Sequence, residues 1–247
     1  MTTTRRLDWA TLVNARDLGG YPTTDGGAIR WGALVRSDSL SSLTPSGQEA
    51  LVAYGIRTVI DLRMPDETAS SPNPFAVAGD HGVAYHNRSF IDPAAEPATF
   101  AATLAEDYQS MLARFGPQIA AVVTTVAGAG EGGVLVHCAA GKDRTGLIVA
   151  LLLGALEVVP DVIAEDYGLS ADGLRAEEAR WLDDGPGTRD EREATLERLR
   201  ARPEVMLEVL AHLAERYGGP GGYLRQVGVA EDDLARLRGR FVGPAAD

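Results

Sequence analysis

The chain has one cysteine among 247 residues, so no disulfide can form within it, and its cysteine usage gives no sign of an oxidising compartment. Its four histidines, His81, His86, His137 and His212, show neither an H-E-x-x-H pattern nor a Cys/His spacing that would assemble zinc, so no metal is indicated. Long apolar runs are missing too. None approaches the roughly 18 to 20 residues of a membrane span, which argues against an integral membrane segment. The N-terminal "MTTTRRLDWATLV" has two arginines but no apolar stretch of the kind a secretory leader carries. The expectation is a cytoplasmic protein, with export by a leaderless route left open. Positive charge is scarce: 23 Lys and Arg stand against 35 Asp and Glu, a net charge of -12. Such a chain repels nucleic acid backbones and anionic lipid surfaces at long range, so any anion site must be a local pocket.

What is present fits an α/β domain. Apolar residues make up 45%, enough for a full core, and the length suits a single domain over 1–247. Residues 14–38 are rich in Gly, Asp and Thr around a "TDGG" turn and predict a short strand or hairpin with loops. In "LTPSGQEALVAYG", Thr44 is an N-cap candidate, Pro45 sits in the first turn and Gly55 is a stop, which predicts a helix. "IRTVIDL", Ile56 to Leu62, reads as a buried strand, and "GVAYHNRSFI" as the next. The "MPDETASSPNPFAVAGD" between them reads as a Pro-rich loop. From Pro97 to Ala129 the helical period predicts two helices meeting at Gly116 and Pro117, and Tyr108, Met111 and Leu112 fall on a core face. Residues 160–217 read as charged helices with an exposed break at "DDGPGTRDERE".

The chemistry concentrates in "VHCAAGKDRTG", Val136 to Gly146, which holds the lone thiol in polar and charged company. Val134 to Val136 predict a short strand, and the apolar "TGLIVALLLGALEV" that follows predicts a helix. A strand, a compact loop and a helix N-terminus together aim backbone N–H groups at one point and bind an oxyanion. Cys138 at the start of that loop would be favoured as a nucleophilic thiolate. Arg144 can grip two phosphoryl oxygens with its planar fork. Gly141 permits the reversal of the backbone, and Thr145 can donate its hydroxyl to the sulfur.

His137, Cys138, five residues, Arg144 and Thr145 follow the pattern H-C-x5-R-[S/T], which resembles the signature of cysteine-dependent protein tyrosine phosphatases. "HCAAGKDRTG", "NARDLGGY", "VRSDSLSSLT", "GIRTVIDLR", "VIAEDYGLS" and "YGGPGGYLRQVGV" are similar to the atypical bacterial branch of that family. The resemblance implies a tyrosine-phosphatase-like α/β fold, with a mostly parallel central sheet flanked by helices and a helical lid within 160–215. It implies a metal-independent phosphomonoester hydrolase without a cofactor, acting through a phosphocysteine intermediate. Its partner would be a phosphorylated protein, or a phosphoinositide given the second cation Lys142.

Under this resemblance Cys138 is the nucleophile, Arg144 binds the phosphate and the transition state, and Ala139, Ala140, Gly141, Lys142 and Thr145 contact the substrate. His137 supports the loop. The general acid is open among four aspartates, because no Trp-Pro-Asp lid occurs. Asp143 in the loop is favoured, as in the atypical branch. Asp107 has roughly the spacing of the acid in dual-specificity relatives, while Asp61 ends one predicted strand and Asp92 follows another. Arg16, Asp17, Arg36 and Asp38 read as ion-pair braces more than pocket residues, whereas Asp61 and Arg63 fall at a strand end where α/β sites gather. Two alternatives stand beside this reading: a silent phosphate-binding module and a rhodanese-like sulfurtransferase.

Overall fold

Short runs of aliphatic and β-branched residues, each closed by polar residues at its carboxyl end, extend and pair because only neighbouring backbone can satisfy their buried N–H and C=O groups. In the computed structural model, which describes residues 5–76, 82–91 and 101–245, the strands are β1 (Arg16–Asp17), β2 (Gly27–Ile29), β3 (Leu34–Ser37), β4 (Ile56–Asp61), β5 (Ala84–Asn87), β6 (Gly133–His137) and β7 (Val242–Pro244). The main sheet runs β1-β3-β6-β4-β5. Its four strands from β3 to β5 are parallel and β1 lies antiparallel at the edge. Ser37 pairs with His137, His137 with Asp61, and Asp61 with Asn87. One row of polar residues thus closes the carboxyl edge, where open α/β sheets place their ligands.

Ten helices are described: α1 (Pro45–Ala53), α2 (Pro65–Ser70), α3 (Leu104–Arg114), α4 (Gly116–Ala127), α5 (Asp143–Ala155), α6 (Pro160–Asp184), α7 (Arg189–Leu199), α8 (Pro203–Tyr217), α9 (Pro220–Gln226) and α10 (Glu231–Phe241). They flank the sheet on both faces because strand side chains alternate. Leu34, Ile60, Val134 and Val136 join one apolar cluster with α3, α4, α5, α8, α9 and α10, while Val35, Ile56, Val59 and Leu135 join another with Leu51 of α1 and the N-terminal Leu7, Trp9 and Leu12. α5 is buried all round from Leu147 to Leu153, as its uniformly apolar sequence requires. A smaller antiparallel pair, β2 with β7, ties the two ends of the chain together.

The expected signals hold in α1, where Thr44 accepts from the Gly47 N–H and Gly55 reverses the chain at φ +102. They fail after β4. The stretch read as a Pro-rich loop contains α2, started by Pro65 at its first position and capped by Glu67, whose Oε2 accepts from the Met64 N–H at 2.8 Å. Met64 lacks the side-chain oxygen of a usual N-cap, so the start signal was incomplete. Among the described residues no helix is long and apolar enough to cross a membrane.

Candidate active site

The buried central strand β6 delivers Cys138 to the carboxyl edge of the sheet, and α5 begins at Asp143. Between them four consecutive carbonyls are held from outside. The Cys138 carbonyl meets His137 Nδ1 at 3.0 Å and Ala139 accepts from the Ser39 N–H at 2.8 Å. Ala140 accepts from Asn14 Nδ2 at 2.9 Å and Gly141 from Arg36 Nη2 at 2.7 Å. A trans peptide points its N–H opposite to its C=O, so the N–H groups of Ala139, Ala140, Gly141 and Lys142 turn toward the loop interior. Such a convergence forms a cradle able to hold an anion. Gly141 makes it possible: its φ is +69, and a Cβ there would come within 2.4 Å of the Ser37 carbonyl oxygen.

Each external donor is itself fixed. Asn73 Oδ1 accepts from the Phe75 N–H, so its Nδ2 donates to His137 Nε2 at 2.9 Å. That leaves the proton on Nδ1, directed at the Cys138 carbonyl. Burial lowers the pKa of His137 and keeps the ring neutral, although Asp61 lies 3.5 Å from Nε2 and pulls the other way. Asn14 Oδ1 accepts from Arg16 Nη1 at 2.6 Å, which turns its amide nitrogen to Ala140. Asp38 accepts from the N–H groups of Val13 and Asn14. Arg36 Nη1 donates to Asp166 Oδ2 at 2.6 Å, and Arg16 Nε donates to Oδ1 at 2.9 Å. Arg16, Arg36 and Asp38 are therefore braces, and Asp17 is another, accepting from the N–H groups of Gly19 and Gly32.

Asp61 is fully buried and held by two Arg63 side-chain nitrogens and the Tyr85 hydroxyl. Burial alone would raise its carboxyl, but the hydrogen bonds and charge of Arg63 bring it below the ordinary value. Asp107 lies on α3, where it accepts from the Ala101 N–H and pairs with Arg198 at 2.8 Å. Asp92 lies outside the described residues.

Arg144, in the first turn of α5, presents Nη1 and Nη2 to Glu67 at 2.5 and 2.8 Å. Burial would lower its pKa, but Glu67 more than offsets that, and the same hydrogen bonds hold Glu67 below the usual carboxylate range. Lys142 Nζ donates to the Leu199 carbonyl of α7 at 2.7 Å and lies 3.5 Å from Asp143 Oδ1. Asp143, 38% exposed, accepts on Oδ1 from the Tyr108 hydroxyl at 2.6 Å. The Thr145 hydroxyl is buried and has no hydrogen-bond partner among the described residues, a state that costs about 1–3 kcal/mol and is retained where function uses the group. The structure thus gathers His137, Cys138, the loop 139–142, Asp143, Arg144 and Thr145. Sequence reasoning missed Glu67, Asn14, Asn73 and Tyr167, and took Tyr108 for core alone.

A sequence profile described as the tyrosine phosphatase family matches residues 7–243. A tyrosine-protein phosphatase of Nostoc commune is 35% identical over 87% of this chain and 76% of its own length. The triple specificity protein phosphatase PtpB of Mycobacterium tuberculosis is 32% identical over 93% of this chain and 96% of its own length. With a cysteine at the start of that cradle and an arginine in the first turn of the helix behind it, the chain belongs to the tyrosine phosphatase family.

Proposed function

We propose that the protein hydrolyses phosphomonoesters in two steps, with Cys138 as nucleophile and phosphotyrosine in proteins as the first substrate class. The observation that carries this reading is the set of four outward-held carbonyls, Cys138 to Gly141, which aims four N–H groups at one anion. The cradle and Arg144 bind the three non-bridging oxygens, and the Cys138 sulfur attacks phosphorus in line with the ester oxygen. As the P–O bond breaks, Asp143 gives its proton to the departing oxygen, leaving a phosphocysteine. Water then attacks that phosphorus and loses a proton to Asp143, and inorganic phosphate leaves with the thiolate restored. Thr145 fits the role of donor to the sulfur as it departs, which would satisfy its lone hydroxyl.

Asp143 suits the acid better than its rivals because it is partly open to solvent, whereas Asp61 is enclosed by its partners and Asp107 is tied to Arg198. Lys142 supplies a second cation beside the cradle, which supports the extension to phosphoserine, phosphothreonine and phosphoinositides. Phosphate release from a phosphotyrosine peptide, a phosphoserine peptide and a soluble phosphoinositide, each with EDTA present, tests this. We expect release to be strongest with phosphotyrosine and to vanish in Cys138→Ser. A wild-type protein that binds vanadate yet releases nothing would leave the loop an anion receptor.

A further inference from the structure

Tyr108 and Tyr167 are fully buried, yet their hydroxyls form a directed chain into the site. A phenol has one proton to give. Tyr108 gives its own to Asp143 Oδ1 at 2.6 Å, so it must accept from Tyr167, whose hydroxyl stands 2.8 Å away. Burial first, and the charge of Asp143 after it, raise both phenols well above their ordinary value, so both keep their protons.

Three helices meet at this chain: α3 brings Tyr108, α5 brings Asp143 and α6 brings Tyr167. The two rings pack edge to face, 6.1 Å apart at 89°. Gly146 on α5 lets Tyr167 come this close, since a Cβ there would lie 2.9 Å from the ring. The arrangement treats the two oxygens of Asp143 differently. Oδ1 accepts from Tyr108 and faces Lys142 Nζ at 3.5 Å, which makes it a poor place for a proton. Among the described residues no hydrogen bond reaches Oδ2.

We propose that Tyr108, aligned by Tyr167, is a positioning residue that pins Asp143 through Oδ1 so that Oδ2 carries the proton delivered to the leaving oxygen. This rests on the reading of Asp143 as the general acid. Holding the carboxyl in one orientation keeps its free oxygen aimed at the ester oxygen at no cost of reordering during reaction.

The test is the dependence of kcat/KM on the leaving group, which a merely structural loss would not change. For phenyl phosphate, a poor leaving group, Asp143→Asn is expected to lose about 100-fold and Tyr108→Phe about tenfold. For 2,4-dinitrophenyl phosphate, whose phenolate leaves without help, both are expected to lose less than about twofold. Tyr167→Phe should show the Tyr108→Phe pattern in weaker form and serves if Tyr108→Phe does not fold. In the double variant, Asp143→Asn should mask the effect of Tyr108→Phe. Equal losses on both substrates, or none, in the tyrosine variants while Asp143→Asn remains selective would overturn the positioning role alone. An Asp143→Asn variant without selectivity would overturn the acid assignment and the inference with it.

Discussion

Gly141 shows how one residue decides whether the loop can bind anything. Its positive φ suits glycine, and the atoms that a side chain would meet, the Ser37 carbonyl at 2.4 Å and the Asp38 nitrogen at 2.7 Å, are backbone and cannot swing aside. Any displacement would also break the bond from Arg36 to the Gly141 carbonyl and rotate the N–H of Lys142 out of the cradle. Gly141→Ala is therefore expected to lower stability by about 2–4 kcal/mol. Phosphate release should fall more than that loss of folded protein explains. Urea midpoints read beside activity check both, and a variant matching wild type in each would remove Gly141 from the argument. The role of this glycine was legible in the sequence because the chemistry of a tight reversal is local. The neutrality and tautomer of His137 were not, since they depend on Asn73 and Phe75, 64 and 62 positions away in the chain.

At the scale of elements, the strands and the long apolar helix were readable because their periods and caps are local signals, and β6 leading into α5 appears where the sequence placed it. α2 was hidden by the prolines that follow it and by a cap with no side-chain oxygen, and with it went Glu67, the partner of Arg144. The helical lid expected within 160–215 can be narrowed by burial. α8 buries Met206, Val209, Leu210 and Leu213 in the core, and α6 buries its first half, whereas α7 buries no residue at all. α7 docks beside the site through Lys142, which donates to the Leu199 carbonyl, and through the ion pair of Arg198 with Asp107. A partly exposed ion pair of this kind holds by roughly 1 kcal/mol or less. Amides of α7 should thus exchange at least about tenfold faster than those of α5 and α8, and Asp107→Asn should speed them further. Protection of α7 equal to that of α8 would argue that it is a fixed wall of the site.

Across the whole molecule, Asp166 ties the loop to parts of the chain that no local signal connects. It receives Arg16 from β1, Arg36 from β3 and the Tyr21 hydroxyl, all buried, and Arg36 carries the link onward to Gly141. Burial alone would raise its carboxyl, but the two arginines overcome that and bring it from an ordinary 3.8 down to about 2. A carboxylate so depressed contributes stability that is complete above its unfolded value and is lost as pH falls toward the folded one. The pH-dependent part should be on the order of 2 kcal/mol, disappearing between about pH 5 and 2. At neutral pH, Asp166→Asn leaves two arginines without their anion and should cost about 3–5 kcal/mol. Urea midpoints of wild type and Asp166→Asn, followed from pH 7 to pH 2, separate this from a generic acid effect. The gap between the two proteins should be widest at neutral pH and shrink as Asp166 itself takes a proton. A gap that stays constant would mean that the carboxylate charge is not what joins the N-terminal strands and α6 to the loop 138–142.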